Sequence, residues 1–119
     1  MSFIYVASPY TGTIEQMEVR FLEVEHYVAH MLQQGVPVFS PIVHCHSLAH
    51  KYDLPKEVEF WDAYDKRMMD AATELHVLCL RDWESSRGVR MEIGYMMAQD
   101  KIVNYIRMNG SRYEYVHVD

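Results

Sequence analysis

Apolar residues fall along this chain in two rhythms that take turns. A continuous run over residues 3–7, closed by Ser8 and Pro9, has the character of a strand buried on both faces. Ile14, Met17, Phe21, Val24, Val28 and Met31 then recur at helical spacing until Gly35 ends the helix. Residues 36–39 form a second short strand, stopped by Pro41. A histidine-rich loop is expected over 42–54, with Asp53 capping the next helix ahead of Leu54 and Pro55. Helix, strand and helix follow at 56–72, 75–80 and 86–99. Residues 101–106 read as a fourth strand, and the alternation Tyr113, Tyr115, His117 beyond an Asn109-Gly110 turn reads as a fifth.

Strands that alternate with helices predict an α/β fold. The expectation is a single domain over residues 1–119, a doubly wound, flavodoxin- or Rossmann-like parallel sheet of about five strands flanked by helices, in the order 2-1-3-4-5. Such sheets bind ligands at the carboxyl ends of their strands, which selects residues 8–13, 40–46 and 81–88. Length agrees, since 119 residues suffice for one core. A net charge of −6 without a basic run excludes a nucleic-acid polymer as the main partner, and a single nucleotide remains open. Two cysteines without CxxC spacing, Cys45 and Cys79, suit reduced thiols. No apolar run approaches the ~20 residues of a membrane span, so a soluble cytoplasmic protein is expected.

The richest stretch is DWESSRGVRMEIG, residues 82–94. A strand-turn-helix here places Ser85, Ser86 and Gly88 at a helix N-terminus, where free N–H groups and the helix dipole favour an anion. Glu92 lies one turn on, at the edge of the apolar face. In the preceding helix, Val58, Trp61, Asp65, Met68 and Ala72 form the inward stripe, so Asp65 sits among apolar side chains. A carboxylate there is either paired, with a backbone N–H or an arginine such as Arg20 or Arg90, or carries a raised pKa suited to a general acid. Tyr5, in the first strand, needs a hydrogen-bond partner if buried, and a carboxylate at the active edge would serve. His44, His46 and His50 make an HxHxxxH pattern that lacks the carboxylates of zinc helices, so no metal site is assigned. His26 and His30 fall on the solvated side of the first helix.

Four motifs together carry a family resemblance: IYVASPYTG at 4–12, VFSP at 38–41, FWDAYD at 60–65, and the 82–94 stretch with Ser86, Gly88, Glu92 and Gly94. They resemble the nucleoside 2-deoxyribosyltransferase-like superfamily, more narrowly its short bacterial and phage branch, and are similar to nucleoside 5′-monophosphate N-glycosidases. The resemblance implies that Glu92 is the nucleophile at C1′ of the sugar, that Tyr5 hydrogen-bonds it, and that a helical aspartate serves the departing base. In better-studied members that aspartate matches Met68; Asp65 lies on the same face and takes the role here. Ser8 and Ser86 would hold a 5′-phosphate, beside Gly88 and a first loop in which Pro9 and Tyr10 replace small residues.

The chemistry suits these residues. A carboxylate below C1′ stabilises or captures an oxocarbenium-like sugar, and a protonated aspartate supplies the leaving base. Capture by water makes a hydrolase, and capture by another base a transferase. Tyr10, His44 and Trp61 are expected to line the base pocket. No metal or organic cofactor is called for. The partners expected are a small nucleoside or nucleotide and a second copy of the chain in a homodimer or larger assembly. A non-catalytic nucleotide-binding module of the same fold is the alternative.

Overall fold

The computed structural model describes residues 2–55 and 58–118. Five strands, β1 (Ile4–Ala7), β2 (Val38–Phe39), β3 (Glu74–Leu78), β4 (Ile102–Asn109) and β5 (Arg112–Val116), form one sheet. Four helices flank it: α1 (Ile14–Gln33), α2 (Pro41–Lys51), α3 (Val58–Ala71) and α4 (Arg87–Met97). Strand order is β2-β1-β3-β4-β5. Neighbours run parallel from β2 to β4, in a register that aligns Tyr5 with Leu75 and His76 with Asn104. The last pair departs from the all-parallel expectation: β5 runs antiparallel to β4. The cause is local, because Gly110 at φ +66° closes a tight turn, and a connection that short joins only antiparallel strands.

Period-two alternation sends each strand's side chains to opposite faces. Tyr5, Ala7, Leu75 and Val77 pack on one face against Met69 of α3, Ala72 just beyond it, and Val89 and Met96 of α4. Val6, Leu78 and Ile106 pack on the other against Val24, Tyr27 and Val28 of α1. Each such aliphatic side chain removed from water contributes on the order of 1.5–3 kcal/mol. Both faces are therefore mostly apolar, with His76 buried within β3 as a polar exception.

Local chemistry explains the boundaries. Thr13 caps α1 in a reciprocal box with Gln16, and Gly35 beyond its end adopts φ +77°. The stretch expected to be a histidine-rich loop is instead α2. Ser40 caps it by accepting from the Val43 N–H, and Pro41 occupies the first turn, where its missing N–H is no loss. Pro41 thus starts a helix as well as ending a strand. Asp53, expected to cap the following helix, closes α2 in the left-handed conformation at φ +54°. The predicted helix start at Lys56 and the inward side chain assigned to Val58 lie outside the described residues. Of the histidines of α1, His26 is exposed as expected and hydrogen-bonds the Tyr113 hydroxyl, and His30 is half-buried with its ring 4.9 Å from the Tyr113 ring.

Candidate active site

A cavity of about 520 Å³ opens at the carboxyl ends of β1 and β3. The β1–α1 loop, the first turns of α2, the inner side of α3, and the turn leading into α4 enclose it. On its wall lie Ser8, Pro9, Tyr10, Trp61, Asp65, Ser86, Gly88 and Glu92 from the residues singled out by sequence. Tyr5 lies beneath and reaches the cavity through Glu92, to which its hydroxyl donates a hydrogen bond.

Glu92 occupies the centre of the inward stripe of α4, between Val89 and Met96, rather than its edge. Its carboxyl is pushed up to about 8: burial dominates, the Tyr5 hydrogen bond opposes it, and the charges of Asp65 and Asp62 add to it. Asp65, from α3, is pushed up to about 7 by burial and by the charge of Asp62. Its Oδ1 is buried without a hydrogen-bond partner, and so is the Oγ of Ser8. The structural partners open to Asp65 are otherwise disposed. Arg20 donates to the carbonyls of Tyr10 (3.2 Å) and Thr11 (2.7 Å), and Arg90 is exposed. An unpaired buried oxygen costs roughly 1–3 kcal/mol. Two of them on one cavity wall are groups that a ligand would satisfy.

At the α4 end, Ser86 caps the helix by accepting from the Val89 N–H at 3.3 Å. A Cβ added to Gly88 would meet nothing within 4 Å, so open space stands over the first turn of the helix. Helix N-terminus, Ser8 hydroxyl, and the cations Arg20 and Arg87 on the same wall together suit an oxyanion. Trp61 donates its indole N–H to the Pro55 carbonyl at 2.8 Å while lining the cavity.

His44 is the site residue that the fold leaves outside. It is exposed, its ring stacked 5.7 Å from that of Tyr64 and its Nε2 bonded to the Tyr64 hydroxyl at 3.0 Å. His46 stands on the wall instead, with Cys45 and Ala49. Sequence reasoning had Cys45 and His46 within the selected 40–46 segment but gave neither a place on the wall, and it passed over Ala49, because it read α2 as a loop; a helix through residues 41–51 turns Cys45, His46 and Ala49 to one side. The Ser40-Pro41 pair was the available signal. Cys45 is pushed up to about 11 by burial and by Asp65, which keeps its thiol neutral. His46 and His50 do share a face of α2, their rings 4.5 Å apart, and both reach the Tyr10 hydroxyl. Among the described residues no group of three His, Cys, Asp or Glu side chains is placed to hold a metal ion.

Residues 2–108 match a family described as a domain of unknown function, DUF1937. The chain belongs to the DUF1937 family. The match spans every wall of the cavity and stops within β4, so β5 lies beyond it. No curated protein matches the chain. Among the described residues, no helix is long and apolar enough to cross a membrane.

Proposed function

We propose that this protein cleaves the N-glycosidic bond of a nucleoside or nucleoside 5′-monophosphate, with Glu92 as nucleophile. The observation that carries the proposal is a buried carboxyl, Glu92, held by Tyr5 and sharing one cavity with a second carboxyl, Asp65, whose inner oxygen has no partner. Two buried carboxyl groups with raised pKa values facing one cavity are equipment suited to glycosyl transfer. An ionised Glu92 oxygen bonds to C1′ as the C1′–N bond breaks, and the proton on Asp65 goes to a ring nitrogen of the departing base. In the second step water or another base attacks C1′, the Glu92 carboxylate leaves, and the displaced proton returns to Asp65. Tyr5 aims Glu92 and shares its developing charge. Ser8, Ser86 and the N-terminus of α4 beside Gly88 hold the 5′-phosphate or hydroxyl, and Pro9, Tyr10 and Trp61 border the base.

The same reading takes the 2-1-3-4-5 order as a doubly wound, flavodoxin-like arrangement, with the cavity at the reversal point between β1 and β3. It also retains the resemblance to the nucleoside 2-deoxyribosyltransferase-like superfamily, together with a cytoplasmic setting and a homodimer or larger assembly. Exposed apolar side chains such as Ile14 and Tyr115 favour self-association. The test is release of free base from a panel of ribo- and deoxyribonucleosides and their 5′-monophosphates. Wild-type protein should release base, and Glu92→Gln should lose at least about a thousandfold in kcat while binding persists. Calorimetric binding without any release would replace the enzyme by a nucleotide-binding module, and full turnover by Glu92→Gln would remove the nucleophile.

A further inference from the structure

We infer that Tyr10 selects the base: resting on the N-glycosidase reading, its hydroxyl oxygen accepts from an exocyclic amino group, so that the preferred substrate carries a 6-aminopurine. The geometry is a chain of three polar side chains running from the cavity to the surface. The Tyr10 hydroxyl lies 2.6 Å from Nδ1 of His46, and Nε2 of His46 lies 3.0 Å from Oε2 of Glu18. His46 is buried, with the Phe21 ring stacked 4.3 Å away, whereas Glu18 is largely exposed. The imidazole plane is thus held by both hydrogen bonds and by packing.

Directionality follows from valence. A carboxylate only accepts, so Nε2 of His46 carries a proton and donates it to Glu18. In the tautomer that this donation selects, Nδ1 is bare and accepts, so the Tyr10 O–H points at His46 and away from the cavity. His50 Nε2, 3.3 Å from the same oxygen, engages one lone pair when it carries a proton, and the other is left for a ligand in the cavity that Tyr10 lines. Tyr10 therefore presents an acceptor. An amino group satisfies it, while an oxo group would set lone pair against lone pair. Turning the proton outward to meet an oxo group would leave buried Nδ1 without a donor, which is costly.

A 6-aminopurine offers its N6 donor and its N7 acceptor on one edge. That pairing matches the two groups available: Tyr10 accepts from the amino group, and the Asp65 proton is free for the ring nitrogen. Tyr10 is a specificity residue here, and His46 and Glu18 are positioning residues that fix which way its proton points.

The experiment compares base release from 2′-deoxyadenosine 5′-monophosphate and 2′-deoxyinosine 5′-monophosphate, which differ in amino against oxo at C6 and in the proton that the oxo form carries on N1. Wild-type kcat/KM should favour the amino substrate by about tenfold or more, the range hydrogen-bond readout supplies. Tyr10→Phe should bring the ratio to within about threefold of unity, because the acceptor is gone. Glu18→Gln, at an exposed position, should lower the ratio by a smaller factor, because the imidazole can then adopt either tautomer. A purely structural role for the chain would change both substrates alike and leave the ratio in place. Equal wild-type rates on both substrates, or an unchanged ratio in Tyr10→Phe, overturn the inference and leave the N-glycosidase reading standing. Cleavage of pyrimidine nucleotides alone also overturns it without touching that reading. If no nucleoside or nucleotide is either cleaved or bound, both fall together.

Discussion

Two clusters of polar side chains are buried against this sheet, one on each face, and they are finished differently. On the α1 face, His76 takes the Tyr27 hydroxyl at Nδ1 (2.7 Å) and meets Glu74 at Nε2 (3.2 Å), and Asn104 donates to the same Glu74 oxygen at 3.0 Å. Burial lowers the His76 pKa against the pull of Glu74, so the ring stays neutral and its two nitrogens are used by the protein itself. On the α3/α4 face, Tyr5 satisfies one oxygen of Glu92, but Asp65 Oδ1 and Ser8 Oγ have nothing to bond. The first cluster abuts packed side chains, and the second lines a cavity. A closed network stabilises a fold, and an open one at a cavity stores capacity for a ligand. Burial alone therefore separates neither from the other; what does is whether the donors and acceptors add up.

The comparison can be sharpened first at Asp65. Asp65→Asn should cut turnover of unactivated substrates by on the order of a hundred- to a thousandfold and that of activated leaving bases far less, because an activated base leaves with little proton assistance. Its pH profile gives a second reading. Glu92, at about 8, must be ionised and Asp65, at about 7, protonated, so wild-type kcat/KM should rise toward pH 7, peak between about 7 and 8, and fall above. Asp65→Asn should lose the alkaline fall and level off at or below about pH 8, since the neighbouring charge that helps raise Glu92 is gone. A bell retained in the variant would assign the acid elsewhere.

A cut into the closed network should show the opposite pattern. His76→Ala strands the Tyr27 hydroxyl and opens a void, and should cost about 2–4 kcal/mol of unfolding free energy in urea. Turnover per folded molecule should stay within about threefold, because His76 lies across the sheet from the cavity. Activity lost in proportion to stability, without a change in the folded fraction, would tie the two faces together.

The smallest effect belongs to Ser8. Its Oγ has no bond to lose, so Ser8→Ala should leave the thermal midpoint within about 2 °C of wild type. It should raise KM for 5′-monophosphates about five- to tenfold while sparing the matching nucleosides. An equal rise for both would move Ser8 from the phosphate to the sugar or base.

Much of this arrangement was legible before folding. The strand order, the helices α1, α3 and α4, the inward Asp65, and the Tyr5–Glu92 partnership all trace to spacing or to motif. What escaped was α2, and with it the Tyr10–His46–Glu18 chain. Three histidines and a serine among short apolar residues carry weak helical periodicity, and the cap at Ser40 is a two-residue signal easily read as a strand ending. The exclusion of His44 follows from the same helix, which turns it toward Tyr64 while its neighbours face the cavity.

By itself the sequence determined which residues repeat at periods of two and of 3.6, and those periods decide what each element is and which side it buries, because burial of apolar area is local to an element's face. Only the tertiary structure decided which polar groups end without partners. Tyr5 and Glu92 are 87 positions apart, and Asp65 meets them through a different helix, so their hydrogen bonds exist only once the strands are in register. Hydrogen-bond satisfaction is a property of three-dimensional neighbours within about 3 Å, and no pattern along the chain encodes it.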